Sequence, residues 1–90
     1  NFIKGVTMET VKGIRLIKIY WKGEPHFYFD TFRASVYLGC SEQTVHKMRS
    51  KTKILESCGQ VGQTYLYERE ALDRAAKKLG ATEENTYYVN

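Results

Sequence analysis

Hydrophobic and polar positions alternate over residues 14–20, where isoleucine, leucine and tyrosine are interleaved with two cations. An alternating pattern rich in β-branched residues is typical of a strand with one face buried. We therefore predict a strand here, with the side chains of Arg15 and Lys18 turned to water. Trp21 closes the segment.

A turn follows this strand. Residues 22–25 read Lys-Gly-Glu-Pro, in which glycine accepts a positive φ and proline cannot donate a hydrogen bond to a β-ladder. The aromatic run His-Phe-Tyr-Phe at residues 26–29 then provides a second strand. Together these segments predict a β-hairpin over residues 14–29, preceded by an arm or leader at residues 1–13.

A short amphipathic helix is predicted after Asp30, whose carboxylate can cap the first helical turn. Gly39 ends this helix, because glycine readily adopts the left-handed conformation that closes many helices. At 100° per residue the inward arc contains Phe32, Ala34, Ser35, Val36 and Leu38. Arg33 and Tyr37 fall outside that arc.

A second helix is predicted at about residues 42–51, capped by Ser41 only two residues after Gly39. Val45 and Met48 share one side of it. The opposite side is polar and rich in hydrogen-bond donors, and it carries Gln43, His46, Lys47 and Ser50, with Arg49 and Lys51 beside them. The two helices should therefore meet at a tight turn and leave a cationic face exposed.

Two further strands are predicted at residues 52–57 and 63–67, where polar and apolar positions again alternate. Residues 58–62 contain two glycines and form the predicted loop between them. We call the segment over residues 52–67 the wing.

A closing helix is predicted over residues 68–79. Its apolar stripe consists of Ala71, Leu72, Ala75, Ala76 and Leu79, and Gly80 is expected to stop it. Residues 80–90 form a polar tail, within which residues 86–89 can add an edge strand or extend freely. The element order describes one α+β domain over residues 1–90.

Composition and hydropathy limit the classes of protein that this sequence fits. The 90 residues suit a single domain, and 42% hydrophobic with 27% charged residues is a globular balance. No apolar stretch approaches the roughly 18 residues of a membrane span, and no secretory leader precedes the domain, so we expect a cytoplasmic protein without a membrane partner. Because Asn1 is too large to follow routine removal of an initiator methionine, we expect a fragment or a processed chain, or equally a native start at Met8 behind a leftover leader.

The net charge of +4 is unevenly distributed. Residues 41–53 hold four cations and one anion, whereas residues 54–90 hold four cations and six anions. The predicted second helix is thus the basic part of the chain's centre, and the closing helix and tail are acidic.

Residues 30–48, Asp-Thr-Phe-Arg-Ala-Ser-Val-Tyr-Leu-Gly-Cys-Ser-Glu-Gln-Thr-Val-His-Lys-Met, resemble the helix-turn-helix of DNA-binding proteins. With the wing and closing helix, residues 27–75 resemble the winged modules of phage excisionases and the MerR superfamily. The aromatic hairpin before the helix pair is similar to the modular DNA-binding repeats of homing endonucleases. Ser35, Cys40 and the connection after Lys51 depart from the usual pattern.

The resemblance implies a recognition helix at residues 41–51 in the major groove of duplex DNA. Gln43 or Thr44 would reach base edges, and Lys47 would read guanine or meet a phosphate. The other implied contacts, mainly to the DNA backbone or an adjacent minor groove, are His46, Arg49, Ser50, Lys51, Lys53, Arg33 and Gln60, with Gln63 beside the last. The alternative for each of these residues is a solvated surface position with no DNA contact. For Glu42 this alternative is the better one, because an anion in the first helical turn favours the helix dipole but repels phosphate.

The N-terminal cations and the aromatic residues have two interpretations each. Lys4, Lys12, Arg15, Lys18 and Lys22 can extend a DNA contact, or they can keep exposed strands from aggregating, which we favour. The eleven Phe and Tyr residues and Trp21 can stack on single-stranded bases, or they can fill the core, which we also favour. Tyr28, Tyr65 and Tyr67 are the least certain core members.

Catalysis and cofactors have no positive signal. Cys40, Cys58, His26 and His46 lack the paired short spacing of structural zinc sites, and no phosphate loop or nucleophile motif is present. We expect two free thiols, no metal, no cofactor and no enzymatic activity in this chain.

The sequence thus predicts a sequence-preferring duplex-DNA-binding protein, such as a phage or mobile-element transcription regulator or an excisionase-like factor. A DNA-targeting module of a larger nuclease or recombinase is a variant of this hypothesis. A module that binds a host protein through its acidic C-terminal face, with Tyr87 and Tyr88 exposed, is the rival. The oligomeric state stays open.

Overall fold

Over the residues that the structure describes, the chain folds into six short strands and three helices. This mixture confirms the predicted α+β class, although the sequence predicts only four strands before the tail. The structure, a computed structural model, describes the backbone of residues 9–89 and the side chains of residues 9–79. Its strands form three separate two-stranded antiparallel sheets, each joined by a tight turn. They are β1 (Thr10–Val11) with β2 (Ile14–Arg15), β3 (Ile17–Trp21) with β4 (Glu24–Tyr28), and β5 (Gly59–Val61) with β6 (Thr64–Leu66). The helices are α1 (Thr31–Leu38), α2 (Glu42–Ser50) and α3 (Arg69–Val89).

The N-terminal region contains two hairpins rather than an arm and one hairpin. Lys12 and Gly13 have φ values of 50° and 80°, the positive pair that a type I′ turn needs, so β1 folds back on β2. The predicted strand over residues 14–20 is broken at Leu16, whose N–H bonds the Glu9 carbonyl at 2.8 Å. Residues 1–8 of the predicted arm lie outside the described residues.

The second hairpin starts at Ile17, and its turn is shorter than the sequence suggests. Lys22 and Gly23 alone form it, with φ values of 53° and 80°, while Glu24 and Pro25 already belong to β4. Pro25 is tolerated there because a two-stranded ribbon has only edge strands. As predicted, Arg15 and Lys18 are exposed.

The helix pair forms as predicted. The Asp30 carboxylate accepts a hydrogen bond from the Arg33 N–H at 2.8 Å, and Gly39 closes α1 with φ 73° and ψ 35°. Ser41 caps α2 by accepting from the Thr44 N–H at 3.1 Å. The left-handed Gly39 and the Ser41 cap therefore fix the sharp change of direction between α1 and α2.

The inward face of α1 differs from the predicted arc. Ala34 and Ser35 are buried, but Phe32 and Val36 are 56% and 52% exposed. Tyr37, predicted to point outward, packs edge-on against Phe29 with ring centroids 5.1 Å apart. In a helix of only eight residues the apolar positions spread around the axis, so contacts with neighbouring elements decide which side is buried.

The wing is displaced along the sequence. Residues 59–61, placed in the loop by the prediction, form β5, and the turn consists of Gly62 and Gln63. Gly62 has φ 61°, which suits the first central position of a type II′ turn. Residues 52–58 form no strand; the Leu55 side chain is buried there, and its N–H bonds the Met48 carbonyl at 3.2 Å. The alternation over residues 52–57 therefore reflects one anchored leucine rather than a strand.

The core lies where the three helices meet the base of the wing. It comprises Val11, Phe29, Ala34, Val45, Met48, Leu55, Tyr67, Ala71, Leu72 and Ala75. Phe29 and Tyr67 exchange backbone hydrogen bonds of 2.9 and 2.8 Å and so join the end of β4 to the end of β6.

Helix α3 continues past Gly80 to Val89, so the predicted stop and the alternative of an edge strand in the tail are both wrong. Glycine inside a helix costs only about 1 kcal/mol relative to alanine, and no proline follows it. The predicted stripe is buried at Ala71, Leu72 and Ala75, whereas Ala76 is exposed. No helix in the described residues combines the length and apolar character needed to cross a membrane.

Candidate nucleic-acid interface

Helix α2 buries one face in the core and exposes the opposite face to solvent. Val45 is 0% and Met48 is 3% exposed, and burying two such side chains contributes about 1.5 to 3 kcal/mol each. Gln43, His46 and Lys47 lie on the other side and are exposed. The helix is thus anchored on one side and open on the other.

The side chains of Gln43 and Lys47 make no hydrogen bond or ion pair with the part of the chain whose side chains are described. An amide and an ammonium that are not engaged within the protein keep their full donor and acceptor capacity for a ligand. Among the predicted base-reading residues, these two are the ones that the structure leaves available.

Thr44 is placed differently. Its side chain is half-buried, and its hydroxyl lies 3.0 Å from the Ser41 hydroxyl within the helix cap. Ser50 is also engaged, because its hydroxyl donates to the His46 carbonyl one turn earlier at 2.8 Å. These two residues stabilise the ends of α2, and their hydroxyls are turned to the helix itself.

Arg49 connects α2 to the wing. Its Nε donates to the Tyr67 hydroxyl at 3.0 Å, and its guanidinium carbon lies 3.6 Å from the centroid of the Tyr65 ring. A second guanidinium nitrogen lies 2.7 Å from Nδ1 of His46. The positive charge is thereby held in one position over an aromatic surface, between α2 and β6.

Tyr65 and Tyr67, two of the least certain core members in the sequence interpretation, both contact Arg49. Tyr67 is fully buried, whereas Tyr65 is half-buried and presents its ring to Arg49. Their i, i+2 spacing puts both on one face of the chain around β6, which is a signal that the sequence contains. That Arg49 is the partner follows only from the packing of α2 against this face.

A basic rim continues from the end of α2 toward α3. Lys51 and Lys53 are exposed, and Lys53 has a positive φ of 60°.

Two shallow grooves meet at Lys53. The first is bordered by Arg49, Leu55, Glu56 and Ser57. The second is bordered by Ile54, Glu56, Ala71, Arg74 and Lys78. Arg74 and Lys78 were not predicted as site residues, although their i, i+4 spacing places them on one face of α3. Glu56 lines both grooves and offsets part of the positive charge.

The two predicted contacts on α1 and in the wing make intramolecular bonds. Arg33 donates from Nε to the Arg15 carbonyl at 2.6 Å and pairs with Asp30 at 3.1 Å. The Gln60 side-chain amide donates to the Gly62 carbonyl at 3.1 Å and remains exposed. Gln63 is exposed in the wing turn.

Tyr37, predicted to lie outside the inward arc of α1, packs against neighbouring elements. Its hydroxyl donates to the Asp73 carboxylate at 2.5 Å and accepts from Arg69 Nε at 3.4 Å. Burial, and then the hydrogen bond to Asp73, raise the pKa of this hydroxyl above its ordinary value, although Arg69 acts in the opposite direction. The hydroxyl connects α1 to α3.

The two cysteines are free thiols, with Cys40 half-buried and Cys58 exposed. Burial raises the pKa of both thiols, and Glu68 adds to the rise at Cys58, so the thiolate forms less readily at neutral pH. Within the described residues no three His, Cys, Asp or Glu side chains come together as a metal site would require.

In comparisons with protein-family models, curated proteins and solved structures, no significant match to this chain was found.

Proposed function

We propose that this protein binds duplex DNA through the outer face of α2, acting in the cytoplasm as a phage or mobile-element regulator or excisionase-like factor. The observation that carries the proposal is the state of α2: it is capped, anchored by Val45 and Met48, and exposed at Gln43 and Lys47. A helix presented in this way fits a major groove about 12 Å wide. Glutamine suits the donor and acceptor pair of adenine, and lysine suits guanine or a phosphate.

Arg49 and Lys51 would contact phosphates at the end of α2, with Lys53 continuing the track. Arg49 needs no reorganisation for this role, since Tyr65 and Tyr67 already hold its guanidinium. A pre-positioned cation loses little side-chain entropy on binding, so it favours affinity more than a mobile lysine would.

The direct test is a titration of a labelled mixed-sequence duplex, followed by fluorescence anisotropy at two salt concentrations. Each phosphate contact steepens the slope of log K against log salt by about 0.9. Lys47→Ala should weaken binding, and if Lys47 meets a phosphate it should also reduce that slope by about one contact. Lys77→Ala is the matched control, because Lys77 is an exposed cation on α3 away from both grooves.

Absence of binding at low salt would refute DNA binding. Unchanged affinity in the double variant Lys47→Ala with Arg49→Ala, shown to be folded by circular dichroism, would refute the proposed docking face while leaving DNA binding intact.

The regulator and the targeting-module variants predict different binding behaviour. Selection of preferred sites from random duplexes reports specificity and half-site spacing together, and a dimeric regulator should select paired half-sites about 10 base pairs apart. The rival protein-binding hypothesis depends on Tyr87 and Tyr88, which lie outside the residues whose side chains are described.

A further inference from the structure

The β3–β4 hairpin stands apart from the core. No residue of β3 or β4 belongs to the buried cluster or to the partly buried side chains packed against it, among the residues that the structure describes. The hairpin joins the domain at its base, where Phe29 bonds Tyr67. Residues 25–28 are half-buried, as are Ile17 and Ile19, whereas residues 20–24 at the tip are exposed. Within the described residues, the tip of this ribbon is therefore the part available to a partner.

Its register sorts the side chains onto two faces. Lys18 pairs with Phe27 and Tyr20 with Pro25 on one face; Ile17 with Tyr28, Ile19 with His26 and Trp21 with Glu24 lie on the other. The two aromatic residues nearest the turn, Tyr20 and Trp21, are each 65% exposed. The expectation that the aromatic residues fill the core is therefore wrong at the tip of this hairpin.

Cations accompany these rings. Lys22 Nζ lies 5.8 Å from the centroid of Trp21, and Lys18 Nζ lies 5.8 Å from the centroids of Tyr20 and Phe27. Alternating charge on an exposed strand explains lysines alone, as a defence against aggregation. It does not explain two adjacent large aromatic side chains left in water, whose exposure would favour aggregation.

Lysines beside exposed aromatic rings fit a polyanion with flat bases and apolar sugars. We propose that the β3–β4 hairpin is a second DNA-contacting element, which places Lys18 and Lys22 on phosphates and Tyr20 and Trp21 in the minor groove flanking the site of α2. This inference rests on the proposed function. Architectural DNA-binding proteins use apolar side chains in the minor groove in this way, and a two-stranded ribbon is narrow enough to present them.

Trp21 provides a direct test, because it is the only tryptophan in the sequence and its emission reports solely on the hairpin tip. The unmodified protein is titrated with a mixed-sequence duplex of about 30 base pairs, long enough for roughly three helical turns. Trp21 emission, its quenching by acrylamide and the anisotropy of the labelled duplex are followed together. The expected result is a change in emission and protection from acrylamide over the same DNA concentrations that raise the anisotropy.

Substitutions in the hairpin should reduce affinity without unfolding the protein. Trp21→Ala should weaken binding about fivefold or more, since loss of an aromatic contact to a base costs about 1 to 3 kcal/mol. Lys22→Ala should weaken binding less and reduce the salt slope. Lys77→Ala serves again as the matched control and should leave both unchanged.

The outcomes separate the two proposals. If the anisotropy rises normally and responds to Lys47→Ala, but Trp21 stays accessible and Trp21→Ala binds as well as the wild type, the hairpin inference is overturned and the function of α2 stands. If no duplex binds at all, both are overturned. A concentration-dependent change in Trp21 emission without DNA would show that a second copy of the chain covers the hairpin, and would overturn the inference as well.

Discussion

The helix pair and the β3–β4 hairpin carry similar chemistry, since each presents cations next to aromatic rings. In the helix pair, Arg49 stacks on Tyr65 at 3.6 Å and also bonds Tyr67, which is buried. In the hairpin, Lys22 lies 5.8 Å from the Trp21 ring, and both side chains are exposed. Arg49 is thus held by residues around β6, whereas Lys22, within the described residues, contacts only its own hairpin.

The two regions have similar residue types but differ in how their cations are anchored. Contacts with buried neighbours make the helix pair the more rigid surface, and their absence in the described part of the chain makes the hairpin the more adaptable one. A fixed guanidinium favours recognition in one geometry, because little side-chain entropy is lost on binding. Exposed lysines and a projecting ribbon can adjust to the width of a groove. Substitutions in the helix pair should therefore change the stability of the whole domain, whereas substitutions in the hairpin should change mainly local order or binding.

The largest expected effect is that of Val45→Asp. Its side chain is 0% exposed, so an unpaired carboxylate would be buried at the contact of α2 with the core. We expect a loss of more than about 4 kcal/mol, comparable with the whole stability of a small domain. Urea denaturation followed by circular dichroism measures it. Gln43→Asp, on the exposed side of the same helix, and Trp21→Ala in the hairpin should each stay within about 0.5 kcal/mol. A native transition for Val45→Asp would contradict the assignment of the core.

Alanine substitutions at two glycines, one in the helix pair and one in the β3–β4 hairpin, introduce the same kind of backbone strain in the two regions. Gly39 and Gly23 have φ values of 73° and 80°, and an added Cβ would meet nothing within 4 Å at either, so Ala introduces backbone strain alone. Strain of about 1 to 2 kcal/mol is expected for each. Gly39→Ala should lower the global free energy of unfolding, whereas Gly23→Ala should instead speed amide hydrogen exchange within β3 and β4. Gly59→Ala is the control, because Gly59 has neither a positive φ nor a close neighbour. Equal global losses at both sites would show that the hairpin unfolds together with the core.

Removal of the Tyr67 hydroxyl tests the connection between α2 and the wing. Tyr67→Phe leaves the ring in the core but deprives Arg49 Nε of its acceptor, with an expected cost of about 1 kcal/mol. Tyr20→Phe removes an exposed hydroxyl from the hairpin and should have no measurable effect on stability. Thermal unfolding of both variants gives the comparison. A neutral Tyr67→Phe would mean that the stack on Tyr65 and the contact with His46 are sufficient to hold Arg49.

The smallest expected effect is a pH dependence at Tyr37. Since burial and Asp73 raise its pKa in the folded state, the stabilisation is complete below the ordinary tyrosine value of about 10 and is lost as the pH rises through the folded value. Urea denaturation at about pH 8 and about pH 10.5 should show that wild type loses more stability than Tyr37→Phe over this interval. An equal loss in the two proteins would assign the alkaline sensitivity to other groups.

The helix pair is the part of the fold that the sequence predicts best, because its signals are local. Asp30, Gly39 and Ser41 each act on a backbone group within a few residues, and Val45 and Met48 follow helical periodicity. The first hairpin was missed although Lys12-Gly13 repeats the dipeptide of Lys22-Gly23, a signal that was available. The first wing strand was misplaced because burial of Leu55 imitates strand alternation, whereas the second was predicted close to its place in β6.

In the candidate site, too, the features set by local spacing were predicted, and those set by packing or by local hydroxyl bonds were not. Gln43 and Lys47 were predicted from spacing on α2, since the opposite side of the helix was apolar. The engagement of Thr44 and Ser50 with their own helix was not predicted, because a hydroxyl can bond locally or face outward with the same periodicity. The exposure of Tyr20 and Trp21 was not predicted, because it depends on how the described elements pack around the hairpin.

By itself the sequence determined the two helices of the helix pair, their caps and the turn between them, and the cationic character of α2. All of these depend on residues within one or two turns of each other. The tertiary structure alone decided that Tyr37 faces inward while Phe32 does not, that Arg49 stacks on Tyr65, and that the β3–β4 hairpin stands clear of the core. Those outcomes depend on contacts between residues distant in the chain, and the physical reason is that burial is a property of the assembled neighbours and not of the side chain that is buried.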